Sequence, residues 1–407
     1  MELKTDKDAA MCNASSLNSS VNVSSLNSSL NASSLNSSLN VSSVNSSVNV
    51  PNVNTATDPK DFMSLFLEPL SKASLPAHDY SSINAVVVGG GTGAPLSVKT
   101  LLSLGITTNA VIAMADDGAS TGVLRKETHA LAPGDIRKCL LAFAKDEADP
   151  FTQIFGYRIA CANNHSLGNL ILSSLEEAYE SFPLAIERCE EMLHANGHVY
   201  PSTLDTLTLC AKDKDGSVLQ GQSIVSKSSS PIQKIWLENE SGEQEIKAYE
   251  PACKALMDAN LIVLGPGSLF TSVIANLAIP GIVNAINESN AKLVYVSSLN
   301  NAAGEAANFS FKDELDKLYA TGVKHIDFVL VHSKTQQTCE KIPVESDEAN
   351  KQISKTLPTQ NDAADKQKNT TYIVKNFYYD ACPHFHNPVQ LRIAFEEVAN
   401  KCLSLMK

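Results

Sequence analysis

Two adjacent carboxylates, Asp116 and Asp117, follow an apolar run and open the stretch "DDGASTGVLRKE" (116–127), which also carries Gly118, Ser120, Thr121 and Arg125. Acids, small hydroxyls and a guanidinium in one short segment suit a phosphate site, with Asp116 and Asp117 as candidate ligands for Mg²⁺ beside phosphate oxygens. The same acids could instead turn and cap the chain, as Asp-Gly commonly does. The spacing leaves both readings open. Upstream, "VVVGGGTGAP" (86–95) sets Gly89, Gly90, Gly91, Thr92 and Gly93 between a β-branched run and a proline able to open a helix. Gly89, Gly91 and Ala94 satisfy G-x-G-x-x-G/A, a spacing that lets backbone N–H groups approach a phosphate at a helix N-terminus. Downstream, "LGPGSLFTS" (264–272) offers a second anion nest in Gly265, Pro266, Gly267 and Ser268.

Two further stretches supply polar groups. "APGDIRK" (132–138) starts a helix at Pro133-Gly134, with Asp135 read as its N-cap and Arg137 in the first turn. A cation there runs against the helix dipole, which calls for an anion to neutralise it. "NNHSLGN" (163–169) opens the next helix with His165, Ser166 and Asn169 within one turn. Asp116, Asp117 and His165 are therefore the catalytic candidates, and the others are candidates for nucleotide or phosphate binding. Competing chemistries fit less well. No G-x-S-x-G elbow accompanies Ser166, and no G-x-x-x-x-G-K-[ST] loop occurs. "HFHNP" (384–388) has two histidines without a third ligand and reads as a C-terminal loop. An NAD(P) site is conceivable from Gly89 to Asp117, but nothing recognisable handles a hydride acceptor. No zinc, haem or flavin is expected.

The elements that must position these groups alternate. "INAVVVG", "TNAVIAMA", "LIVLG", "KLVYVSS" and "HIDFVLVHS" read as strands buried on both faces. "PLSVKTLLSL", "DIRKCLLAFA", "SLGNLILSSLEEAYE", "PLAIERCEEML" and "SLFTSVIANLA" have helical spacing. The fold class is α/β: a Rossmann-like, doubly wound, mainly parallel sheet, with residues 197–240 as a small antiparallel excursion around a "KDGS" turn. Residues 1–80 are expected to be a disordered Asn/Ser-rich low-complexity tail, since the nine-residue repeat from Asn13 cannot bury enough apolar area to offset chain entropy. Residues 81–407 form one nucleotide-binding domain, interrupted by a charged, flexible insertion at 345–370.

Composition narrows the class. A net charge of −12 argues against nucleic acid or an anionic membrane as partner. Nine cysteines without any C-x-x-C, several inside apolar runs, read as reduced thiols rather than a disulfide framework. With neither a signal-type leader nor an apolar run of about 18 residues, a soluble cytoplasmic protein is expected.

In order and spacing, "GGGTG", "ADDGASTGVLR", "PGDIRKCLLAFA", "HSLGNLIL" and "LGPGSLFTS" resemble the gluconeogenesis factor family, the bacterial branch related to 2-phospho-L-lactate transferase. The likeness covers about residues 83–333 and the closing "HNPVQLRIAFEEVA". It implies a nucleotide or nucleotide-sugar ligand, UDP-sugars above all, and a cytoplasmic role in carbon use, cell shape and cell-wall precursor supply. Regulatory proteins of the cell wall or of metabolism are the implied partners, and a homodimer is compatible although no seam is legible. The related transferase implies the alternative, Mg²⁺-dependent movement of a phospholactyl-type group from an activated guanosine nucleotide. By this resemblance Gly89 to Gly93, Asp116, Asp117, Arg137, His165, Asn169 and Gly265 to Ser268 are ligand-site positions. Two departures stand out. "NNAAGEAAN" keeps Gly304 and Glu305 but loses polar groups around them, and Lys138 stands where the family commonly has Asn.

Overall fold

The computed structural model describes residues 69–128, 131–242, 245–299, 304–333 and 370–406. The Asn/Ser repeat and all of the 345–370 insertion but its last residue lie outside the described residues. Seven parallel strands form the main sheet: β1 (Asn84–Gly89), β2 (Thr107–Ile112), β5 (Val199–Pro201), β9 (Leu261–Leu264), β10 (Lys292–Val296), β11 (Phe328–His332) and β12 (Thr371–Lys375). Their spatial order is β12-β11-β10-β9-β1-β2-β5, so the winding direction reverses between β1 and β9. β-branched runs form these strands because branched side chains pack well on a pleated surface covered on both sides. β1 illustrates this: Ala85 and Val87 enter one core, Val86 and Val88 the other. Burying each such valine is worth about 1.5–3 kcal/mol.

One face is covered by α1 (Gly93–Leu102), α3 (Pro133–Phe143) and the C-terminal helix α8 (Pro388–Met406), through Val98, Leu140, Phe143 and Phe395. The other is covered by a π-helix at Leu269–Ile274, by α6 (Pro280–Glu288) and by α7 (Phe311–Ala320), through Phe270, Ile282 and Leu318. α7 starts in a capping box of Ser310 and Asp313. Two smaller sheets complete the chain. β3 (Arg158–Ile159) pairs antiparallel with β4 (His165–Ser166) ahead of α4 (Leu167–Tyr179). β6 (Leu207–Asp213), β7 (Val218–Gln220) and β8 (Ile232–Asn239) form an antiparallel sheet in the order β7-β6-β8, with α5 (Gln222–Val225) between β7 and β8. The β6–β7 turn is the expected one, with Gly216 at φ 90° supplying the left-handed residue.

Three expectations need correcting. Residues 199–201 are not part of the excursion but pair parallel with β2; three residues ending in proline are too short to show a strand period. The stretch after Asp117, absent from the segments with helical spacing, forms helix α2 (Ala119–Thr128), which its small hydroxyl residues and Gly122 disguise. Residues 69–80 belong to the domain rather than the tail. Tyr80 is fully buried and its hydroxyl donates to Asn400 Oδ1, while Arg392 of α8 donates to the Ser74 carbonyl.

Candidate functional site

The loops after β1, β2, β9 and β10 all emerge at the carboxyl edge of the sheet, and the β1–β9 reversal is where open α/β folds place ligands. The two glycine-rich junctions meet there. A Cβ on Gly93 would stand inside the Pro266 carbonyl group, 2.5 Å from its carbon, so only glycine permits this approach. Each junction is tied by the helix that follows the other. Ser97 of α1 donates to the Gly265 carbonyl (2.8 Å), and Asn276 donates to the Gly89 carbonyl (2.9 Å). Gly89 leaves room for the Cβ of Ala94, which would lie 3.3 Å from a Cβ at Gly89, so the small residues of the motif serve strand–helix packing as well.

Asp135 lies in the third position of α3 rather than at its N-cap, which is Ala132. Its carboxylate accepts from Gly91 N–H and from Lys138 Nζ (2.7 Å), bridging α3 to the first glycine loop. The Gly91 N–H, expected to face phosphate, is thus held by a protein carboxylate. Gly91 itself sits at φ 61°. Gly90 is packed against Asp135 and Ser272. Lys138, the departure from the family pattern, is an ion-pair partner of Asp135.

Asp116 and Asp117 point to different tasks. Asp116 accepts from Gly118 N–H (3.0 Å) through Oδ1, and its Oδ2 lies over the start of α3, 2.5 Å from where a Cβ on Gly134 would be. Desolvation, then repulsion from Asp135, raises its pKa, with Lys138 acting in the opposite sense. Asp117 accepts from Ser223 N–H (2.8 Å), anchoring α5 and hence the β6–β8 sheet to the site. Arg125 is occupied in the same joint: it donates to the carbonyls of Asp116 and Leu207 and to Glu240 Oε1 (2.8 Å). The donor chemistry therefore fits Mg²⁺ at Asp116, completed by ligand phosphates, better than at the Asp116–Asp117 pair. Among the described residues, no three metal-capable side chains converge.

Ser120, His165 and Asn169 come together in a buried cluster. Asn169 Nδ2 donates to Ser120 Oγ (3.0 Å), and Ser120 Oγ shares a hydrogen bond of 2.7 Å with His165 Nδ1. Ser166 caps α4 by accepting from Asn169 N–H. Asn169 Oδ1 is buried without a partner. Arg137 is only 5% exposed, and its Nε is likewise buried and unpartnered. Burial first, then Arg158, lowers its pKa to about 10 against the opposing pull of Asp135 and Asp116. A guanidinium with five donors and no ion pair among the described residues is the arrangement an anionic ligand would complete.

A cavity of about 330 Å³ opens beside the meeting junctions. Thr92, Gly93, Pro266, Gly267 and Ser268 form one wall. Glu305, Ser226 of the excursion, and His384 to His386 of the C-terminal loop are among the residues facing it from other segments. Sequence reasoning missed the last group, because "HFHNP" looks like a remote loop until the chain folds. Only the resemblance at "HNPVQ" hinted at it. His386 is buried, with Nε2 3.0 Å from the Ser297 carbonyl. Desolvation lowers its pKa to about 4, so the neutral imidazole donates from Nε2. Glu305 Oε1 accepts from Ser268 Oγ (2.5 Å) and Phe270 N–H (2.9 Å), while Oε2 is buried and unpartnered. Burial raises the Glu305 pKa, and its bonds to Ser268 and Phe270 oppose that shift.

Fold and site together define a Rossmann-like α/β protein whose glycine-rich junctions gather at the switch point. The family described as 2-phospho-L-lactate transferase CofD matches residues 85–377, and the chain belongs to it. It is 37% identical over 254 residues to a protein named "Putative gluconeogenesis factor" from Thermoanaerobacterium thermosulfurigenes, covering 61% of this chain and 77% of the relative. A Lactococcus lactis protein of the same name is 36% identical over 276 residues, covering 67% and 82%. The crystal structure of a UPF0052 family member from Bacillus halodurans superposes with a TM-score of 0.64 at 30% identity, over 77% of this chain and 99% of that one.

Proposed function

We propose that this protein binds a nucleotide or nucleotide sugar, with UDP-sugars favoured, across the β1–β9 switch point. On this reading it acts in the cytoplasm as a regulator of carbon use, cell shape and cell-wall precursor supply. The observation that carries the reading is the meeting of Gly93 with the Pro266 carbonyl, which aligns two glycine-rich junctions over one cavity. A diphosphate spans such a pair of nests, and Arg137, whose Nε is buried without a partner among the described residues, supplies charge for it. The regulator reading is favoured because the cavity walls contain Phe385 as their one aromatic ring besides the histidines, a poor platform for a flat acceptor.

A second reading, phosphorus-group transfer from an activated nucleotide, is favoured by Asp116. Its desolvated carboxyl faces a like charge at Asp135, a repulsion that Mg²⁺ on a diphosphate would relieve. In that case the acceptor hydroxyl would attack phosphorus as the phosphoanhydride bond to the leaving nucleotide breaks, the hydroxyl proton passing to solvent, and Asp116 would hold the Mg²⁺ that neutralises charge on the departing phosphate.

Thermal-shift titration with UDP-N-acetylglucosamine, UDP-glucuronate, GTP and NAD, each with and without Mg²⁺, separates these readings, since a ligand specific for the native state raises the melting temperature. Stabilisation by a UDP-sugar recovered unchanged supports the regulator. Stabilisation by GTP with Mg²⁺ alone shifts the assignment to transfer, and no response to any of the four overturns nucleotide binding.

A further inference from the structure

The outer edge of β8 runs along a second cavity, of about 690 Å³. Hydrogen bonds from Asp213 N–H to Ser217 and from Gly221 N–H to Leu209 turn the odd-numbered residues of β6 towards β7. Its even-numbered residues therefore bond to β8 at Lys234, Trp236 and Glu238. Ile235 and Leu237 consequently turn their N–H and C=O groups outward, and no described residue bonds to them there. The floor beside this edge is apolar, made by Ile235, Leu237, Ile274, Leu277 and Val283. Its rim carries Lys234, Lys317 and Lys324, and among the described residues none that lines it is acidic, in a chain of net charge −12. Lys317 already reaches the first outward acceptor, donating to the Gln233 carbonyl (2.8 Å).

An edge lysine can simply guard a strand against aggregation. That accounts for Lys234, which lies on β8, but not for Lys317 and Lys324, which come from α7 and the segment after it. A second copy of the chain is a poor occupant, because a twofold contact sets the same patch against itself and would bring these lysines together. We infer that the β8 edge is a docking groove for an extended acidic and apolar segment of a partner protein. Main-chain bonds to Ile235 and Leu237 would add a strand, alternate apolar side chains would fill the floor, and carboxylates would meet the lysine rim. This surface is independent of the nucleotide reading.

Trp236, the single tryptophan of the chain, lines the groove and reports on it directly. The full chain is titrated with a pool of acetylated, amidated octapeptides in which Asp or Glu alternates with Val, Leu, Ile or Phe. A saturable change in Trp236 emission is expected, absent for a pool with Lys in place of the acids. N-methylation of alternate peptide amides should abolish it. The exposed pair of substitutions Lys234→Glu and Lys324→Glu should weaken it about tenfold. The inference is overturned by no response at millimolar peptide, by an equal response to the lysine pool, or by indifference to N-methylation or charge reversal. Sedimentation showing a dimer that Lys324→Glu dissolves would also overturn it, assigning the groove to a second copy.

Discussion

Gly93→Ala isolates the contact on which the site depends. Gly93 is the first residue of α1, where alanine would ordinarily be favoured over glycine by up to about 1 kcal/mol. Local propensity alone therefore predicts a slightly more stable protein. Tertiary geometry predicts the reverse. The new Cβ would overlap the Pro266 carbonyl oxygen and lie 2.5 Å from its carbon and 3.0 Å from Gly267 N, all backbone atoms. Clearing that oxygen to ordinary contact at about 3.5–4 Å requires the two junctions to part by roughly 1.5–2 Å. Overpacking of that kind costs about 1–3 kcal/mol, which outweighs the propensity gain. A melting temperature lower by several degrees is expected, at about 2–4 °C per kcal/mol for a domain of this size. Any ligand bridging both junctions should weaken more than stability alone accounts for, since phosphate groups must be met by both loops at once. Gly91→Ala is the control: it strains a residue at φ 61° but meets only Ser272 Oγ, at 3.5 Å. Differential scanning fluorimetry and ligand titration of both variants decide the matter. If Gly93→Ala melts at or above the wild-type temperature, the loops do not constrain each other and the switch-point argument fails.

Other expectations follow from individual side chains. Arg137→Met should leave the unliganded melting temperature unchanged or raise it, by removing an uncompensated buried charge, while weakening anionic ligands more than about tenfold; a fall in both would show that Arg137 is structural. Asp117→Ala should cost about 1 kcal/mol through the lost cap on Ser223 N–H without altering Mg²⁺ dependence, whereas Asp116→Asn should weaken binding in Mg²⁺ and not in EDTA. Calorimetric titration of both variants tests this, and equal Mg²⁺ dependence in Asp116→Asn and wild type would remove Asp116 as a ligand. The His386 pKa, depressed to about 4, makes the unfolded chain bind a proton that the fold refuses between about pH 6.5 and 4. Stability from this residue is therefore present above pH 6.5 and lost as pH falls through that window, by up to about 3 kcal/mol. Glu305 and Asp116, whose pKa values are raised, contribute in the opposite sense. The readout is accordingly the difference between wild type and His386→Gln in urea melts at pH 7 and 4.5. An unchanged difference at the two pH values would refute the neutral, buried imidazole.

What could be read before folding divides along physical lines. β1, β2, β9, β10 and β11 were legible because strands buried on both faces must be continuously apolar, and glycine-rich exits follow β1 and β9 directly. The cluster of Ser120, His165 and Asn169 was legible as two candidate segments but not as one hydrogen-bonded unit. Its members sit on α2, β4 and α4, and only packing brings them within 3.0 Å. Helix α2 was hidden because Ser, Thr and Gly near its start have poor intrinsic propensity, which tertiary contacts override. His386 and Glu305 could not be assigned from spacing at all, since each enters the cavity from a segment far from the glycine loops. Asp117 and Arg125 show the converse. Polar residues at a ligand edge read as ligand-binding, yet both are engaged in joining the β6–β8 sheet to the site.

That joint bears on how ligand binding could reach a partner. Asp117 and Ser223 tie the loop after β2 to α5, and Glu305 ties the cavity to β8 by accepting Ile232 N–H through its carbonyl (2.8 Å). Glu305 also lines the cavity wall. A ligand that contacts its side chain would act on a residue bonded directly to the start of β8. Coupling between the two sites can amount to no more than the ligand's preference for one placement of Glu305 over another. Reciprocity then demands that an acidic peptide in the β8 groove change nucleotide affinity by the same factor that nucleotide changes peptide affinity. Measuring both titrations with and without the other ligand tests this, and Glu305→Gln, which keeps the carbonyl bond but alters the cavity-facing group, should change the factor if the route runs through its side chain. Equal affinities in all four titrations would make the two sites independent despite their shared residue.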